Sequence, residues 1–153
     1  MVEIFGCLSA MFDYVLVDVG RHLDDRTIEV LSLSDAILFL SCLDIPTIRN
    51  VKRYLDIFEQ LEIEREKVHL VVNRFQKKSR LGLNDLENTV GLETFWTIPN
   101  EFAPISLGID RGNPAVLETP KTKVAQNFKD LAESLCELYG RQESSSSVET
   151  ATG

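Results

Sequence analysis

One carboxylate in this sequence follows a short apolar run in a way that could support chemistry. Tyr14 to Val17 form a continuous stretch of β-formers, Asp18 comes directly after them, and Gly20 opens a turn. A buried parallel strand that ends on an acid can present that acid to the magnesium ion of a bound nucleotide. An aspartate at the end of a strand is also a common turn former or helix cap, and the residues alone leave both interpretations open.

The elements that must position this acid can be read from the spacing of apolar residues. Strands are predicted over 13–18, 36–42, 67–73 and 94–99, because each is a short apolar run bounded by polar residues. Helices are predicted over 2–11, 24–34, most of 43–62, 84–90, 102–111 and 122–139. Asp44 is the expected N-cap of the third helix, and Gly91 and Gly112 are expected to end two later ones.

Continuous apolar strands that alternate with helices predict an α/β fold, with a parallel sheet covered by helices on both faces. Ligands of such sheets bind beyond the carboxyl ends of the strands. The polar residues at those predicted ends are Asp18 to Gly20, Ser41 to Asp44, Asn73 and Arg74, and Pro99 to Glu101. The sequence therefore predicts that these groups gather at one edge of the sheet.

The composition restricts the classes of partner. The 153 residues carry a net charge of −8, which speaks against broad binding to nucleic acid or to anionic membranes. The three cysteines are far apart and form no CxxC pair, so we expect reduced thiols in a cytosolic protein, with neither a zinc site nor a disulfide framework. No apolar run is long enough for a membrane span, and the first residues do not form a secretory signal. The polar segment 140–153 is predicted to be a disordered tail.

Three segments, in this order and spacing, carry a resemblance to a known family. They are "FDYVLVDVGRHLDDRTIEVLSLSDAILFLSCLDIPTIRNVKRYLD", "VHLVVNR" and "TIPNEFAPISLGIDRGNPAV". Together they resemble the second half of the ParA/MinD-type P-loop ATPases, over roughly residues 10 to 140. The phrase "VDVGRHLDDRT" is similar to the CpaE/TadZ branch, which serves assembly of Tad-type pili. The resemblance implies a SIMIBI-like P-loop NTPase sheet without its N-terminal strands, with 1–12 as a helical remnant and 13–139 as the C-terminal half of the ATPase domain.

The resemblance implies roles for the matched residues. Asp18 would be the Walker B acid that holds Mg²⁺ through water, with Gly20 beside it. Asn73 would hydrogen-bond the adenine edge, for which an amide offers a donor and an acceptor side by side, and Arg74 would cover the ring. The segment Pro99, Asn100 and Glu101 would pass beside the base and contribute main-chain groups. Without the resemblance, Asn73 is equally well explained as a turn former.

The family's phosphate-binding loop has no counterpart in this sequence. None of the eight glycines is adjacent to another and none is followed by lysine, so no segment can cradle phosphates with successive N–H groups. We therefore expect ATP and magnesium to bind in an intact parent protein but not tightly to this chain alone, which would be inactive as an ATPase. We also expect an exposed apolar sheet edge, and hence dependence on a missing half, a partner chain or a rearranged sheet.

Other features of the sequence are better explained without a catalytic role. His22 lies near several acids, but the spacing is no known set of metal ligands. His69 lies within a predicted strand and is expected to be a packed or an edge histidine. The basic loop 74–82 fits a solvated loop beside a nucleotide better than a DNA site. The last helix has no basic polar face and is expected to pack on the core.

The sequence is compatible with three functions. The first is the C-terminal portion of a CpaE/TadZ-like ATPase that positions or assembles a pilus or secretion machine in the bacterial cytoplasm, at a cell pole. In this function the intact parent forms homodimers and binds pilus or secretion assembly proteins. The second is a non-catalytic interaction or scaffold module without nucleotide binding. The third and weakest is a receiver-like signalling domain, because "VLVDVG" is similar to the strand that carries a phospho-accepting aspartate.

Overall fold

The computed structural model describes residues 2–20 and 22–140. Three strands form one parallel sheet in the order β1-β2-β3: β1 is Ile37–Ser41, β2 is Val68–Phe75 and β3 is Thr94–Pro99. The helices are α1 (Val2–Met11), α2 (Asp25–Leu33), α3 (Ile45–Gln60), α4 (Leu83–Val90), α5 (Phe102–Arg111), α6 (Ala115–Glu118) and α7 (Lys123–Tyr139). A 3-10 turn, Arg65–Lys67, precedes β2.

The central strand β2 organises the core because both of its faces are covered. On one face, Leu70 and Val72 pack in a cluster with residues of α3 and α4, including Val51 and Leu86. On the other face, Val71 packs with residues of β3 and α7. Leu70, Val71 and Val72, which alternate between the two faces, are all buried, as expected for a strand covered on both faces. The predicted α/β fold with a parallel sheet and helices on both faces is confirmed.

The ends of the helices follow the polar and glycine signals in the sequence. The Asp44 side chain accepts a hydrogen bond from the Thr47 amide at 2.9 Å and begins α3, as predicted. Gly91 and Gly112 both have φ of +67°, the left-handed conformation that ends α4 and α5. Thr122 caps α7. These caps set where each helix begins or ends relative to the sheet.

The prediction of a strand over 13–18 is wrong. Residues 12–20 form neither helix nor strand, and Leu16 is 90% exposed. A strand requires a neighbour that supplies its hydrogen bonds, and β1 is the edge of the described sheet, with no strand beside it on that side. An apolar run indicates that a segment tends to form a strand, but it does not indicate whether another strand lies beside it to pair with.

Two short elements, α6 and the 3-10 turn, were not predicted from the sequence. The predicted tail lies outside the described residues except for Gly140, which ends α7. Among the helices that the structure describes, none is both long and apolar enough to cross a lipid bilayer.

Candidate functional site

The carboxyl end of β2 has an unusual backbone conformation. Arg74 has φ of +53°, a left-handed conformation that costs a residue with a Cβ about 1 kcal/mol or more. The Asn73 side-chain oxygen accepts a hydrogen bond from the Arg74 amide at 2.8 Å and stabilises this turn. The ladder to β3 is irregular between Val72 and Phe75, so the strand turns aside at this point. The Arg74 side chain is exposed as a result.

The end of β3 is attached directly to this turn. Phe75 pairs with Pro99, and the Phe75 carbonyl accepts a hydrogen bond from the Asn100 amide at 3.1 Å. Asn73 is half-buried, whereas Asn100 is exposed. The structure therefore brings together two of the predicted segments, 73–74 and 99–101, at the carboxyl edge of the sheet.

Glu101 has a structural contact that the sequence did not predict. Its carboxylate oxygen Oε2 accepts a hydrogen bond from the Val124 amide at 2.8 Å, in the first turn of α7. Val124 is fully buried, so this contact fixes the start of α7 on the sheet. An acceptor at a helix N-terminus satisfies an otherwise unpaired N–H group and interacts favourably with the helix dipole.

A shallow concavity of about 260 Å³ lies beyond the ends of β1 and β2. It is lined by Cys42, Leu43 and Asp44 after β1 and by Arg74, Gln76 and Ser79 after β2. The Asp44 carboxylate is occupied by the Thr47 amide and hydroxyl, at 2.9 and 2.8 Å. Arg74 is therefore the cationic group that this concavity offers to a ligand.

A second concavity, of about 450 Å³, lies where α5 and α7 begin. Its lining residues are 101–104 and 121–123, which include two lysines and the 80% exposed side chain of Phe102. Of the segment 99–101, Glu101 lines this second concavity, and none of the three residues lines the first.

Asp18 and Gly20 lie outside both concavities. Both residues are exposed, and a Cβ added to Gly20 would meet no atom within 4 Å. Within residues 2–20 and 22–140, no group of three or more His, Cys, Asp or Glu side chains could hold a metal ion. The role of Asp18 stays a prediction.

His69 lies on the α7 face of the sheet. Its Nε2 is hydrogen-bonded to the Tyr139 hydroxyl, and its ring packs against that of Phe95 with centroids 4.6 Å apart. Burial lowers the pKa of His69, because desolvation disfavours the charged form. His69 is thus packed, which is one of the two interpretations that the sequence left open.

Cys42 lies in the strand end 41–44 that was expected at this edge, whereas nothing in the sequence singled out the lining residues Gln76 and Ser79. They are unexceptional in type, and only the meeting of two loops makes them neighbours. The positive φ of Arg74 was equally hidden, because asparagine or glycine is the usual sign of such a position.

No family profile matches the chain. The septum site-determining protein MinD of Thermotoga maritima is 24% identical over 126 residues, which are 79% of this chain and 46% of that protein. A MinD sequence of Tupiella akineta is 26% identical over 137 residues, 86% of this chain and 43% of that protein. The chain thus spans less than half the length of these curated relatives.

Solved structures show the same fold. A ParA family ATPase from Chlorobium tepidum matches with a TM-score of 0.81 at 19% identity, over 86% of this chain and 55% of that one. MinD in the MinC:MinD complex of Aquifex aeolicus matches with a TM-score of 0.74 at 24% identity, over 89% of this chain and 56% of that one. MinD of Pyrococcus horikoshii, solved with Mg-ADP, matches with a TM-score of 0.74 at 21% identity, over 90% of this chain and 56% of that one. Together the sequence matches and the fold support a relationship to the ParA/MinD-type ATPases.

Proposed function

We propose that this chain is the C-terminal portion of a ParA/MinD-like ATPase and carries the base-binding side of its nucleotide pocket. The observation that supports this proposal best is the joining of two strand ends. The left-handed turn at Arg74 and the segment 99–101 are linked by the hydrogen bond between the Phe75 carbonyl and the Asn100 amide. A ligand beyond the carboxyl ends of β2 and β3 would contact both.

The contacts available at this edge suit a purine base. The Asn73 side-chain oxygen already accepts the Arg74 amide, and its NH₂ group keeps two donors for a base nitrogen or carbonyl. The exposed Arg74 guanidinium can stack on an aromatic ring. In this proposal Pro99, Asn100 and Glu101 contribute main-chain groups, because the Glu101 carboxylate is engaged with α7.

The residues of this chain fit the base but not the phosphates. Cradling phosphates requires successive backbone N–H groups in a glycine-rich loop, and the sequence has no such segment. In an intact parent that supplies this loop, ATP would bring Mg²⁺, which holds phosphate oxygens, and Asp18 would contact the ion through water. We therefore expect this chain alone to bind the base weakly and the phosphates hardly at all.

The finer parts of the proposal rest on the resemblance of residues 17–27 to the CpaE/TadZ branch. They are a homodimeric intact parent, a role in positioning or assembling a pilus or secretion machine, and a location at a pole of the bacterial cytoplasm. The MinC:MinD complex of Aquifex aeolicus supports the idea that such a parent acts through a protein partner.

A titration of the ¹⁵N-labelled chain with adenosine and with Mg-ATP tests the proposed base site. Both ligands should shift amide resonances of 73–75 and 99–101, with similar dissociation constants of about 1 mM or weaker, about 4 kcal/mol of binding. The variant N73D keeps the oxygen that accepts the Arg74 amide but removes the NH₂ donors, and should abolish these shifts. N88D is the matched control, because Asn88 is an exposed asparagine on α4.

Two results would contradict the proposal. Absence of any shift at 73–75 and 99–101 with about 10 mM adenosine would remove the base site. It would favour the scaffold function, in which this chain binds only proteins. Binding of Mg-ATP that is about 100-fold tighter than that of adenosine would show that the chain grips phosphates by itself.

A further inference from the structure

The second concavity, where α5 and α7 begin, combines an apolar wall with two cationic groups. The segment 102–104 lines it from the first turn of α5, and the segment 121–123 lines it from the start of α7. The first segment is phenylalanine, alanine and proline, and the second contains Lys121 and Lys123, which are both exposed. Apolar and cationic surfaces therefore lie side by side in one depression of about 450 Å³.

Both lysines are available to a ligand. No carboxylate among the described residues lies within salt-bridge distance of either ammonium group. Arg111, at the end of α5, is by contrast paired with Glu118. Glu101 also lines the concavity, but its carboxylate already accepts the Val124 amide. The concavity thus presents local positive charge on a chain whose net charge is −8.

The apolar wall continues along α5. Ile109 lies two helical turns after Phe102 on the same face of α5, about 10 Å farther along the helix axis. Its side chain is 75% exposed, whereas Ile105 turns inward and packs against the cluster of Val71 and Val124. Single exposed apolar residues are common on protein surfaces. Two in line beside a concavity form an elongated apolar strip that another helix can cover.

The chemistry of this surface restricts what can cover it. A small anion would leave the side chains of Phe102 and Ile109 in water. An uncharged apolar segment would desolvate the two ammonium groups without a partner, which is costly. A ligand that covers the whole surface therefore needs both apolar side chains and carboxylates.

An amphipathic helix with an acidic first turn meets both requirements. Its apolar residues recur at i, i+3, i+4 and i+7, and the last of these spacings is that of Phe102 and Ile109. Acids in the first turn also interact favourably with the dipole of their own helix, so they are a natural place for the carboxylates that face the lysines.

We propose that the second concavity and the exposed face of α5 bind an amphipathic helix of another protein. Its acidic first turn contacts Lys121 and Lys123, and its apolar stripe covers Phe102 and Ile109. Helices that bind in apolar grooves use residues at this spacing as anchors. The lysines act on carboxylates within the Debye length of about 8 Å, whereas the more distant acids of this chain are screened by salt.

A second copy of the chain is a poor occupant of this surface, because two copies that each carry a net charge of −8 repel one another. The proposal goes beyond the base site. The two surfaces share only Glu101, whose side chain is engaged with α7.

A titration of the ¹⁵N-labelled full chain with three synthetic peptides of blocked termini tests this proposal. EEELAQLLQQLQ has an acidic first turn and an apolar stripe, KKKLAQLLQQLQ reverses the charge, and EEESAQSSQQSQ removes the stripe. We expect the first peptide to shift the amide resonances of 102–103, 109 and 121–123 with a dissociation constant of about 0.1 mM. The other two peptides should bind at least about tenfold more weakly.

Variants of the chain separate the two kinds of contact. F102A, and the double variant K121Q and K123Q, should each weaken binding of the acidic apolar peptide by about tenfold. L138A and K129Q are the matched controls, because they change an exposed leucine and an exposed lysine elsewhere on α7. Adenosine binding should persist in all of these variants, so failure of this proposal is distinguishable from failure of the base site.

Several results would overturn the proposal. They are equal or tighter binding of the lysine peptide, equal binding of the peptide without the stripe, and no shift with any peptide at about 2 mM. Tighter binding of a single-stranded oligothymidylate at the same amides would assign the surface to nucleic acid instead. Sedimentation of the chain alone at about 100 µM examines the second copy, and a dimer that F102A dissociates would assign the surface to self-association. A monomer that binds the acidic apolar peptide selectively would support the proposal.

Discussion

Glu101 provides the sharpest test of how the site is held in place. Its carboxylate accepts the Val124 amide at 2.8 Å and is half-buried, so replacement by alanine leaves an N–H group of the first turn of α7 without its acceptor. Hydrogen bonds to charged groups contribute about 1.5–3 kcal/mol, and partial exposure places this one near the lower half of that range. We therefore expect E101A to lower the free energy of unfolding by about 2 kcal/mol.

The E101Q variant separates the hydrogen bond from the charge. Glutamine keeps an oxygen acceptor but loses the favourable interaction with the helix dipole, worth about 0.3–1 kcal/mol. For a chain of this size, 1 kcal/mol shifts the melting temperature by about 2–4 °C. We expect a decrease of about 4–8 °C for E101A and about 1–4 °C for E101Q, measured by circular dichroism.

The control for both variants is E93A, which removes an exposed carboxylate from the loop before β3 and should change stability by less than about 0.5 kcal/mol. Adenosine binding should survive in E101Q, because the proposed contacts of this residue with the base come from the main chain. A melting temperature of E101A equal to that of E93A would refute the capping role of Glu101.

Three further predictions concern the turn at Arg74, the packed histidine and the attachment of α7. R74G should stabilise the chain by up to about 1 kcal/mol in urea unfolding while weakening adenosine binding. E62G, at a second non-glycine residue with positive φ (+56°) in the described part of the chain, should stabilise similarly and leave binding intact. Destabilisation by both variants would refute the strain argument. Burial lowers the pKa of His69 in the folded chain, so the unfolded chain binds a proton more readily. The free energy of unfolding should therefore fall as the pH decreases from about 7, through the unfolded pKa of about 6.5, to the lower pKa of the folded chain. H69Q should flatten this slope in urea titrations between about pH 7 and 5, and an unchanged slope would assign it to other groups. N127A removes the acceptor of the Trp96 indole N–H and should lower the free energy of unfolding by about 1–3 kcal/mol. The fluorescence emission of the sole tryptophan should shift to longer wavelength. Unchanged emission would show that α7 is held in place without this hydrogen bond.

The elements that were predicted correctly are those whose information is local. The predicted strands 67–73 and 94–99, observed as Val68–Phe75 and Thr94–Pro99, are short, mostly apolar segments bounded by polar residues. Helix α3 has both a capping aspartate and a helical apolar stripe. The run 13–18 has the same local signal as these strands, but it lacks the neighbour that would make it a strand. Local pattern therefore predicted the fold class but not which strands belong to the sheet.

The candidate site was predictable only in outline. The rule that ligands bind beyond the strand ends correctly indicated that 73–74 and 99–101 would meet. The sequence could not reveal that the Glu101 side chain faces α7, because that contact joins residues 23 positions apart. Nor could it reveal the left-handed turn at Arg74, because that conformation is imposed by the irregular end of β2.

The hydrogen bond between the Phe75 carbonyl and the Asn100 amide ties the end of β2 to the end of β3. Inserting or deleting one residue between Val72 and Phe75 would carry that carbonyl to the opposite side of the strand and leave the Asn100 amide without its acceptor. The number of residues between Val72 and Phe75 is therefore constrained, whereas the loops that follow Phe75 and Asn100 can vary in length without touching this hydrogen bond. Homologues with an insertion at the end of β2 should have lost the shared edge, and with it any ligand that depends on both strand ends.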